Sequence, residues 1–200
     1  MSIRACFACK ERKEKEDLLN FKLISKDFLR EGEISLPETF LNIFKDVSNI
    51  LFLDLYSKLP GKGINICPKK ECIKAALKKI YKGKNIDVNS FINYLLETIE
   101  KELITNLVRA KKASLIDIGL DNIDYKDKDA FIIVSQKASL KAQEKLKNFY
   151  KNLLVLDEED LSSFVGLENK NIKYLLIKNT PLGKKIFRLL KLYKSLKNAI

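Results

Sequence analysis

Histidine is absent from this chain of 200 residues, and glycine occurs only seven times. Without an imidazole, Ser-His-Asp and Cys-His nucleophilic systems and His-ligated catalytic zinc sites are excluded. The few glycines form neither a GxGxxG nor a GxxxxGK(S/T) phosphate-binding loop. No apolar run approaches the roughly 18 residues of a membrane span, and the first residues lack the pattern of a signal peptide. We therefore expect a cytoplasmic protein without enzymatic activity, a membrane partner or a small-molecule substrate.

The net charge of +12 is unevenly distributed along the chain. Residues 58–84 hold nine lysines and one glutamate, and residues 170–200 hold eight lysines, one arginine and no acid, so the rest carries −5. Lysine makes up 33 of the 38 basic residues, as codon bias in an AT-rich genome would produce. That bias accounts for lysine in place of arginine but not for the missing acids. The two patches indicate polyanion binding, with a merely solvated surface as the alternative.

Four cysteines form two close pairs, Cys6-x2-Cys9 and Cys67-x4-Cys72, which 57 residues separate. Two such pairs of thiols are what a tetrahedral metal site needs. In the reducing cytosol, paired cysteines favour a metal over disulfides. We predict a structural four-thiolate zinc site on Cys6, Cys9, Cys67 and Cys72. The alternative is four small buried or free thiols.

The first half of the chain alternates short apolar runs with amphipathic helical patterns. The highly charged residues 10–17 predict a solvated turn or a short helix. A helix near residues 69–81 has one buried face, because its apolar residues follow the i, i+3, i+4, i+7 spacing at Ile73, Ala76, Leu77 and Ile80. The remaining elements predicted here are strands at residues 18–24, 49–55 and 64–67, a helix starting near Pro37, and a helix over residues 88–112 with a break near Lys101.

The second half shows a regular alternation of strands and helices. Thr180-Pro181 is a good helix start, because proline suits the first helical position. The predicted strands cover residues 131–135, 153–156 and 172–178, and the predicted helices cover residues 138–150, 158–165 and 181–197. Short links between alternating strands and helices predict a parallel sheet with helices on both faces.

Two stretches of the first half, RACFACKERKEKEDLLNFKLI and ILFLDLYSKLPGKGINICPKKECIKAALKK, resemble the YlxR family of small bacterial RNA-binding proteins. The family pattern has an Arg-x-Cys-x-x-Cys segment, which begins at Arg4 here, a leucine-rich strand, an aspartate near the second strand, which is Asp54 here, a Gly-Arg-Gly-Ala-Tyr segment and a cysteine-containing helix start. In this chain Lys62 stands at the turn arginine and Asn65 at the tyrosine of that pattern. The resemblance implies an α+β domain over residues 1–100, with a small antiparallel sheet and helices.

The second half resembles the kink-turn-binding ribosomal-protein superfamily. The similar segments are LVRAKKA at 107–113, DAFIIVSQKASLKAQEKL at 129–146 and LSSFVGLENKNIKYLLIKN at 161–179. The family's Gly-x-Asn-Glu segment reads Gly119-Leu120-Asp121-Asn122 here. The resemblance implies an α/β/α sandwich domain over residues 101–200.

The residues expected to bind RNA lie in three groups. The Gly61-Lys62-Gly63 turn would bring backbone N–H groups and an ammonium to a phosphate; the alternative is an ordinary hairpin turn. The basic helix flank and the cations at the end of the 88–112 helix would add contacts, although solvation and the helix dipole are alternatives. Arg4 and Asn65 enter through the YlxR resemblance alone. The full set is Arg4, Gly61, Lys62, Gly63, Asn65, Lys70, Lys74, Lys78, Lys79, Arg109, Lys111 and Lys112.

These observations predict a bacterial RNA-binding protein that recognises structured RNA mainly by its phosphates. The expected setting is the ribosome or another ribonucleoprotein. The alternative function is a protein-binding adaptor of the translation or transcription machinery whose RNA-binding domain is degenerate. A nuclease is the third possibility.

Overall fold

The structure is a computed structural model, and it describes residues 2–27, 37–120, 127–157, 161–165 and 171–199. The described chain is a mixed α/β protein with three small sheets and five α-helices. It divides into two compact units, Met1–Thr98 with Ser195–Ile200, and Ile99–Lys194. None of the helices in the described ranges combines the length and apolar character that crossing a bilayer requires.

The first unit begins with a β-hairpin that the sequence analysis did not predict. Strands β1 (Ile3–Ala5) and β2 (Arg12–Glu14) pair antiparallel, and a 3-10 turn follows at Lys15–Asp17. Part of the charged segment 10–17 is therefore strand rather than a turn or short helix. The strands of this hairpin are short and mostly exposed. They therefore lack the alternation of apolar and polar residues by which a strand is usually recognised in a sequence.

A three-stranded antiparallel sheet with order β4-β3-β5 forms the centre of the first unit. Its strands are β3 (Leu19–Ser25), β4 (Asn49–Leu53) and β5 (Lys62–Ile66). Strands β4 and β5 pair with opposite edges of β3, so the chain between them passes from one edge to the other. The Gly61-Lys62-Gly63 segment is therefore not the predicted turn. Of its three residues, only Gly61 has a positive φ, of 98°, and Lys62 and Gly63 belong to β5.

The helices of this part of the chain are α1 (Glu38–Ile43), α2 (Lys70–Ile80) and α3 (Val88–Lys112), and α3 belongs to the second unit from Ile99 onward. The predicted buried face of α2 is confirmed at Ile73, Ala76 and Leu77. Aromatic rings fill the core, with Phe91 on α3 packed against Phe21 and Phe44. The predicted break near Lys101 is wrong, since α3 is continuous. Its sequence contains no proline or glycine, the usual causes of a sharp kink.

The second unit contains a four-stranded sheet with order β6-β9-β7-β8. The strands are β6 (Ile116–Ile118), β7 (Phe131–Ser135), β8 (Asn152–Leu156) and β9 (Tyr174–Ile177). Helices α4 (Leu140–Phe149) and α5 (Pro181–Lys197) follow β7 and β9. Every residue of β7 is buried, and Ile132 and Val134 pack with Leu146 of α4 in one hydrophobic cluster.

The predicted all-parallel sheet is wrong. Only β7 and β8 are parallel, and α4 provides the crossover that a parallel pair needs. Strand β9 pairs antiparallel with both β7 and β6. The predicted helix 158–165 lies partly outside the described residues; its described end is a 3-10 turn at Ser163–Val165. Strand β9 therefore runs opposite to β7 and β8.

Candidate metal centre and basic surface

The first pair of cysteines lies at the tip of the β1–β2 hairpin. Cys6 follows β1, and Cys9 lies three residues before β2. Two backbone bonds hold the tip: the Cys6 N–H donates to the Glu11 carbonyl at 2.9 Å, and the Lys10 N–H donates to the Cys6 carbonyl at 2.9 Å. Lys10 has a φ of 66°, a left-handed conformation that reverses the chain tightly. The hairpin thus brings its two thiols to one end.

The second pair lies where β5 passes into α2. Cys67 follows β5 directly, and Cys72 is in the first turn of α2, whose N-cap is Lys69. Two bonds join this segment to the hairpin: the Phe7 N–H donates to the Asn65 carbonyl at 2.7 Å, and the Cys67 N–H donates to the Cys6 Sγ at 3.3 Å. The hairpin therefore lies against the end of β5, with its thiols facing the second pair.

The four sulfur atoms lie close enough together to hold a metal ion. All four Sγ atoms lie within 4.8 Å of one another, and Cys9 Sγ is 3.9 Å from Cys67 Sγ. A zinc ion bound to sulfur at about 2.3 Å requires sulfur–sulfur separations of about 3.8 Å. The cysteines are free thiols; Cys6, Cys67 and Cys72 are buried, whereas Cys9 is exposed. The predicted clustering of the four cysteines is confirmed, and the cluster could hold a metal ion.

Burial, together with the closeness of the other thiols, makes this cluster suited to a cation. Burial raises the pKa of Cys72 to about 11 and also raises the pKa of Cys67, and the neighbouring thiols act in the same direction. Burial acts similarly on Cys6, but N–H groups of the surrounding backbone, first that of Cys67, outweigh it and lower its pKa to about 7. The cluster alone therefore resists carrying four negative charges. A divalent cation would compensate them, since metals bind the thiolate form.

The lysines expected on the outer side of α2 are directed away from its core-facing side. Lys74 and Lys78 are exposed and Lys70 is half-buried, while Lys62 is exposed on edge strand β5. None of these four ammonium groups has a hydrogen-bond or ion-pair partner among the described residues. Gly61, Gly63 and Arg4 are exposed as well. The first unit thus presents unpaired ammonium groups that are open to solvent.

Lys79 has a different position from the other lysines of α2. Its Nζ donates to the Ala8 carbonyl at 3.1 Å and lies 6.0 Å from the centre of the Phe7 ring. Lys10 approaches the same ring at 5.3 Å. Lys79 therefore ties α2 to the loop between Cys6 and Cys9, and it supports the candidate metal centre. Asn65 serves the same junction through its backbone carbonyl.

Arg109, Lys111 and Lys112 belong to the second unit, at the C-terminal end of α3. Arg109 and Lys112 are exposed and Lys111 is half-buried. The helix ends as the Ser114 N–H donates to the Lys111 carbonyl at 3.0 Å, and Ser114 takes a φ of 53°. These cations could also simply stabilise the helix, because positive charge at a helix C-terminus interacts favourably with the helix dipole.

Two further residues support the candidate sites: Lys13, which the sequence did not single out, and Asp54, which only the YlxR resemblance had named. Lys13 on β2 forms an ion pair with Glu11 at 3.3 Å; although burial works against it, interaction with the Cys67 thiol and with Glu11 raises the pKa of Lys13. Asp54 is buried after β4, and its Oδ1 accepts the Lys58 N–H at 3.0 Å. Its second oxygen, Oδ2, has no partner among the described residues. Asp54 thereby organises the loop that leads to Gly61; only the YlxR pattern had pointed to it.

A scan of protein-family models, a search of curated proteins and a search of solved structures each return no match for this chain. The thiol cluster and the charged surface of the first unit therefore carry the functional assignment.

Proposed function

We propose that this protein binds structured RNA, and that a zinc ion on Cys6, Cys9, Cys67 and Cys72 stabilises the RNA-binding unit. In this proposal the first unit is a YlxR-like α+β domain and the second is an α/β/α sandwich of the kink-turn-binding type. The protein acts in the cytoplasm within a ribosome or another ribonucleoprotein, and it binds rather than catalyses. The observation that carries the proposal is the row of unpaired lysines on α2.

The spacing of these lysines suits a nucleic-acid backbone. Lys70, Lys74 and Lys78 recur every four residues, so they lie along one side of α2. Eight residues of helix span about 12 Å. A double-stranded polyanion with a charge density like that of duplex DNA, one charge per about 1.7 Å of axis, offers several phosphates over that length. Ammonium groups without protein partners can release counterions from such a surface, which makes binding strongly salt-dependent.

The metal centre supports this surface by fixing α2. Cys72 lies in the first turn of the helix, and the other three ligands come from β5 and the hairpin. Four thiolates fill a tetrahedral coordination sphere, so the site is structural and has no open position for a catalytic water. Tetrahedral all-sulfur coordination is typical of zinc. The ion would hold the N-terminus of α2 against the sheet, while the lysines on its outer side contact RNA.

The test compares two triple variants with the same loss of charge. Lys62→Ala/Lys74→Ala/Lys78→Ala should weaken binding to a structured RNA and reduce the slope of log affinity against log salt by about one unit per lost phosphate contact. Thermal stability should stay nearly unchanged, because the three side chains have no described partners. The control, Lys141→Ala/Lys147→Ala/Lys151→Ala, removes three exposed and unpaired lysines of the second unit.

Affinity should be measured by fluorescence anisotropy over a series of salt concentrations. Equal weakening by the two variants would show that binding depends on net charge alone and would contradict the proposed interface. Absence of salt-dependent RNA binding by the wild-type protein would contradict the function itself and favour the adaptor alternative.

A further inference from the structure

A cavity of about 340 Å³ lies in the first unit beside the C-terminal end of α2. Its volume falls within the range of small-ligand sites, roughly 300–1,000 Å³. Residues from β3, from the turn before β4, and from the end of α2 line it. The cysteines lie at the other end of α2, and Lys79, which lines the cavity, also donates from its Nζ to the Ala8 carbonyl in the cysteine loop.

Part of the cavity wall is apolar and remains partly accessible, beside charged and polar residues and the ring of Tyr81. Leu23, Val47 and Ile80 line it, and each is only half-buried. Ser48 and Asn49 are exposed at its mouth, and Asp46 adds a carboxylate. Accessible apolar surface beside hydrogen-bonding groups suits a flat ligand with a polar edge, because burying the ligand's faces removes both surfaces from water.

The rim of the cavity is basic. Lys82 and Lys84 flank Gly83, whose φ of 75° turns the chain after α2, and the Lys84 N–H donates to the Tyr81 carbonyl at 2.9 Å. Both lysines are exposed, and neither ammonium group has a hydrogen-bond or ion-pair partner in the described part of the chain. Lys82 follows Lys78 by four residues, the same spacing that separates Lys74 from Lys78, and it lies beyond the end of the helix.

We infer that this cavity binds one unstacked nucleotide of the RNA held along α2, an inference that rests on the proposed function. The base lies between Leu23, Val47 and Ile80, and its phosphate lies against Lys82 and Lys84. Unpaired bases that leave the stack are the parts of RNA that proteins most often read. A fully paired helix offers the lysines its phosphates but leaves the cavity unfilled.

The hydrogen-bonding groups at the mouth fit the edge of a base. The Asn49 amide can both donate and accept, and the Asp46 carboxylate can accept from an exocyclic amino group. A lone carboxylate or phosphate ion would satisfy the lysines and leave the apolar walls in contact with water. The combination of walls, edge groups and cations therefore favours a nucleotide over a simple anion.

The experiment uses the full-length protein and two RNA duplexes that differ only by one bulged nucleotide. Wild-type protein should bind the bulged duplex about tenfold more tightly, a difference of about 1.4 kcal/mol. The variant Ser48→Tyr fills the mouth of the cavity without changing charge. It keeps the backbone bond in which the Lys26 N–H donates to the Ser48 carbonyl at 2.9 Å. In this variant the preference should fall below about twofold, with duplex affinity unchanged, since the phosphate contacts remain.

The matched control is Asn42→Tyr, which adds the same ring to an exposed position of α1. Asn42 lines a different cavity of the first unit, of about 540 Å³, in which no lysine takes part. This control should keep the preference for the bulge. Equal binding of both duplexes by the wild type would overturn the inference while leaving the proposed function intact. Loss of the preference in Asn42→Tyr but not in Ser48→Tyr would overturn it too, and failure to bind either duplex would instead contradict the proposed function.

Discussion

The metal-centre hypothesis leads to a prediction about one substitution, Cys9→Ser. Cys9 is the exposed member of the thiol cluster, whereas Cys6, Cys67 and Cys72 are buried. Serine at position 9 therefore removes a metal ligand without opening a cavity or burying an unpaired hydroxyl. Any large loss of stability must then come from the missing metal bond rather than from the packing of the core.

The size of the effect follows from the chain that the metal bridges. A link between Cys9 and Cys67 joins residues 58 positions apart. The chain-entropy relation for cross-links assigns about 4 kcal/mol to a loop of that length. We expect Cys9→Ser to lower the unfolding free energy of the first unit by up to about this amount, and to lower its melting temperature by about 15 °C.

The assay combines metal analysis with thermal unfolding followed by circular dichroism. Wild-type protein should carry about one zinc per chain, as a four-thiolate site requires, and Cys9→Ser should carry much less. A chelator should lower the stability of the wild type to that of the variant and should leave the variant unchanged, because both treatments remove the same interaction.

Two outcomes would refute this reasoning. Carefully prepared wild-type protein without a bound ion would show that the thiols are merely clustered. If instead Cys9→Ser lowered stability equally with and without chelator, its effect would not pass through a metal.

Two further predictions concern the backbone of the first unit. Gly61→Ala should cost about 1–3 kcal/mol, because its φ is 98° and a Cβ would lie 2.9 Å from the Leu23 carbonyl oxygen. Gly63→Ala should lower the unfolding free energy much less, since the atom nearest to its added Cβ is the flexible Lys22 Nζ at 3.7 Å. Equal urea unfolding midpoints for the two variants would contradict backbone strain at Gly61. Asp87→Ala should cost about 1 kcal/mol at neutral pH as a lost helix cap. Hydrogen bonds from the Ser90 hydroxyl and from nearby N–H groups lower the pKa of Asp87 in the folded protein. Its contribution to stability is therefore complete above pH 3.8, the ordinary pKa of aspartate, and is lost as the pH falls through the lower pKa of the folded state. A difference between wild type and variant that persisted at lower pH in urea unfolding would contradict this assignment.

The sequence by itself determined the features that depend on local pattern. The period of Ile73, Ala76 and Leu77 predicted α2 and its buried face, and Thr180-Pro181 predicted the start of α5. The short apolar run Phe131–Ser135 was correctly predicted as a strand. Helical and strand periods are set within a few residues by backbone geometry, so neighbouring residues suffice to reveal them. The cysteine spacing likewise pointed to the cluster that the structure forms.

The direction and pairing of strands depended on the tertiary structure. The alternation of strands and helices predicted a parallel sheet, yet β9 pairs antiparallel with β7. The segment Lys62–Gly63 was expected in a turn and instead pairs with β3. A buried strand has the same apolar run in either direction, so its sequence does not record which neighbour it pairs with or how it is oriented. The RNA and family assignments stay predictions.

Only the folded chain decided which charged groups are available. Lys74 and Lys79 lie on the same helix and look alike in the sequence, but Lys79 donates to Ala8, 71 residues away, while Lys74 has no described partner. Similarly, Cys6 and Cys67 meet because the hairpin tip bonds to the end of β5. Such contacts join residues distant in the chain, and their geometry comes from the packing of whole elements, for which no local period exists.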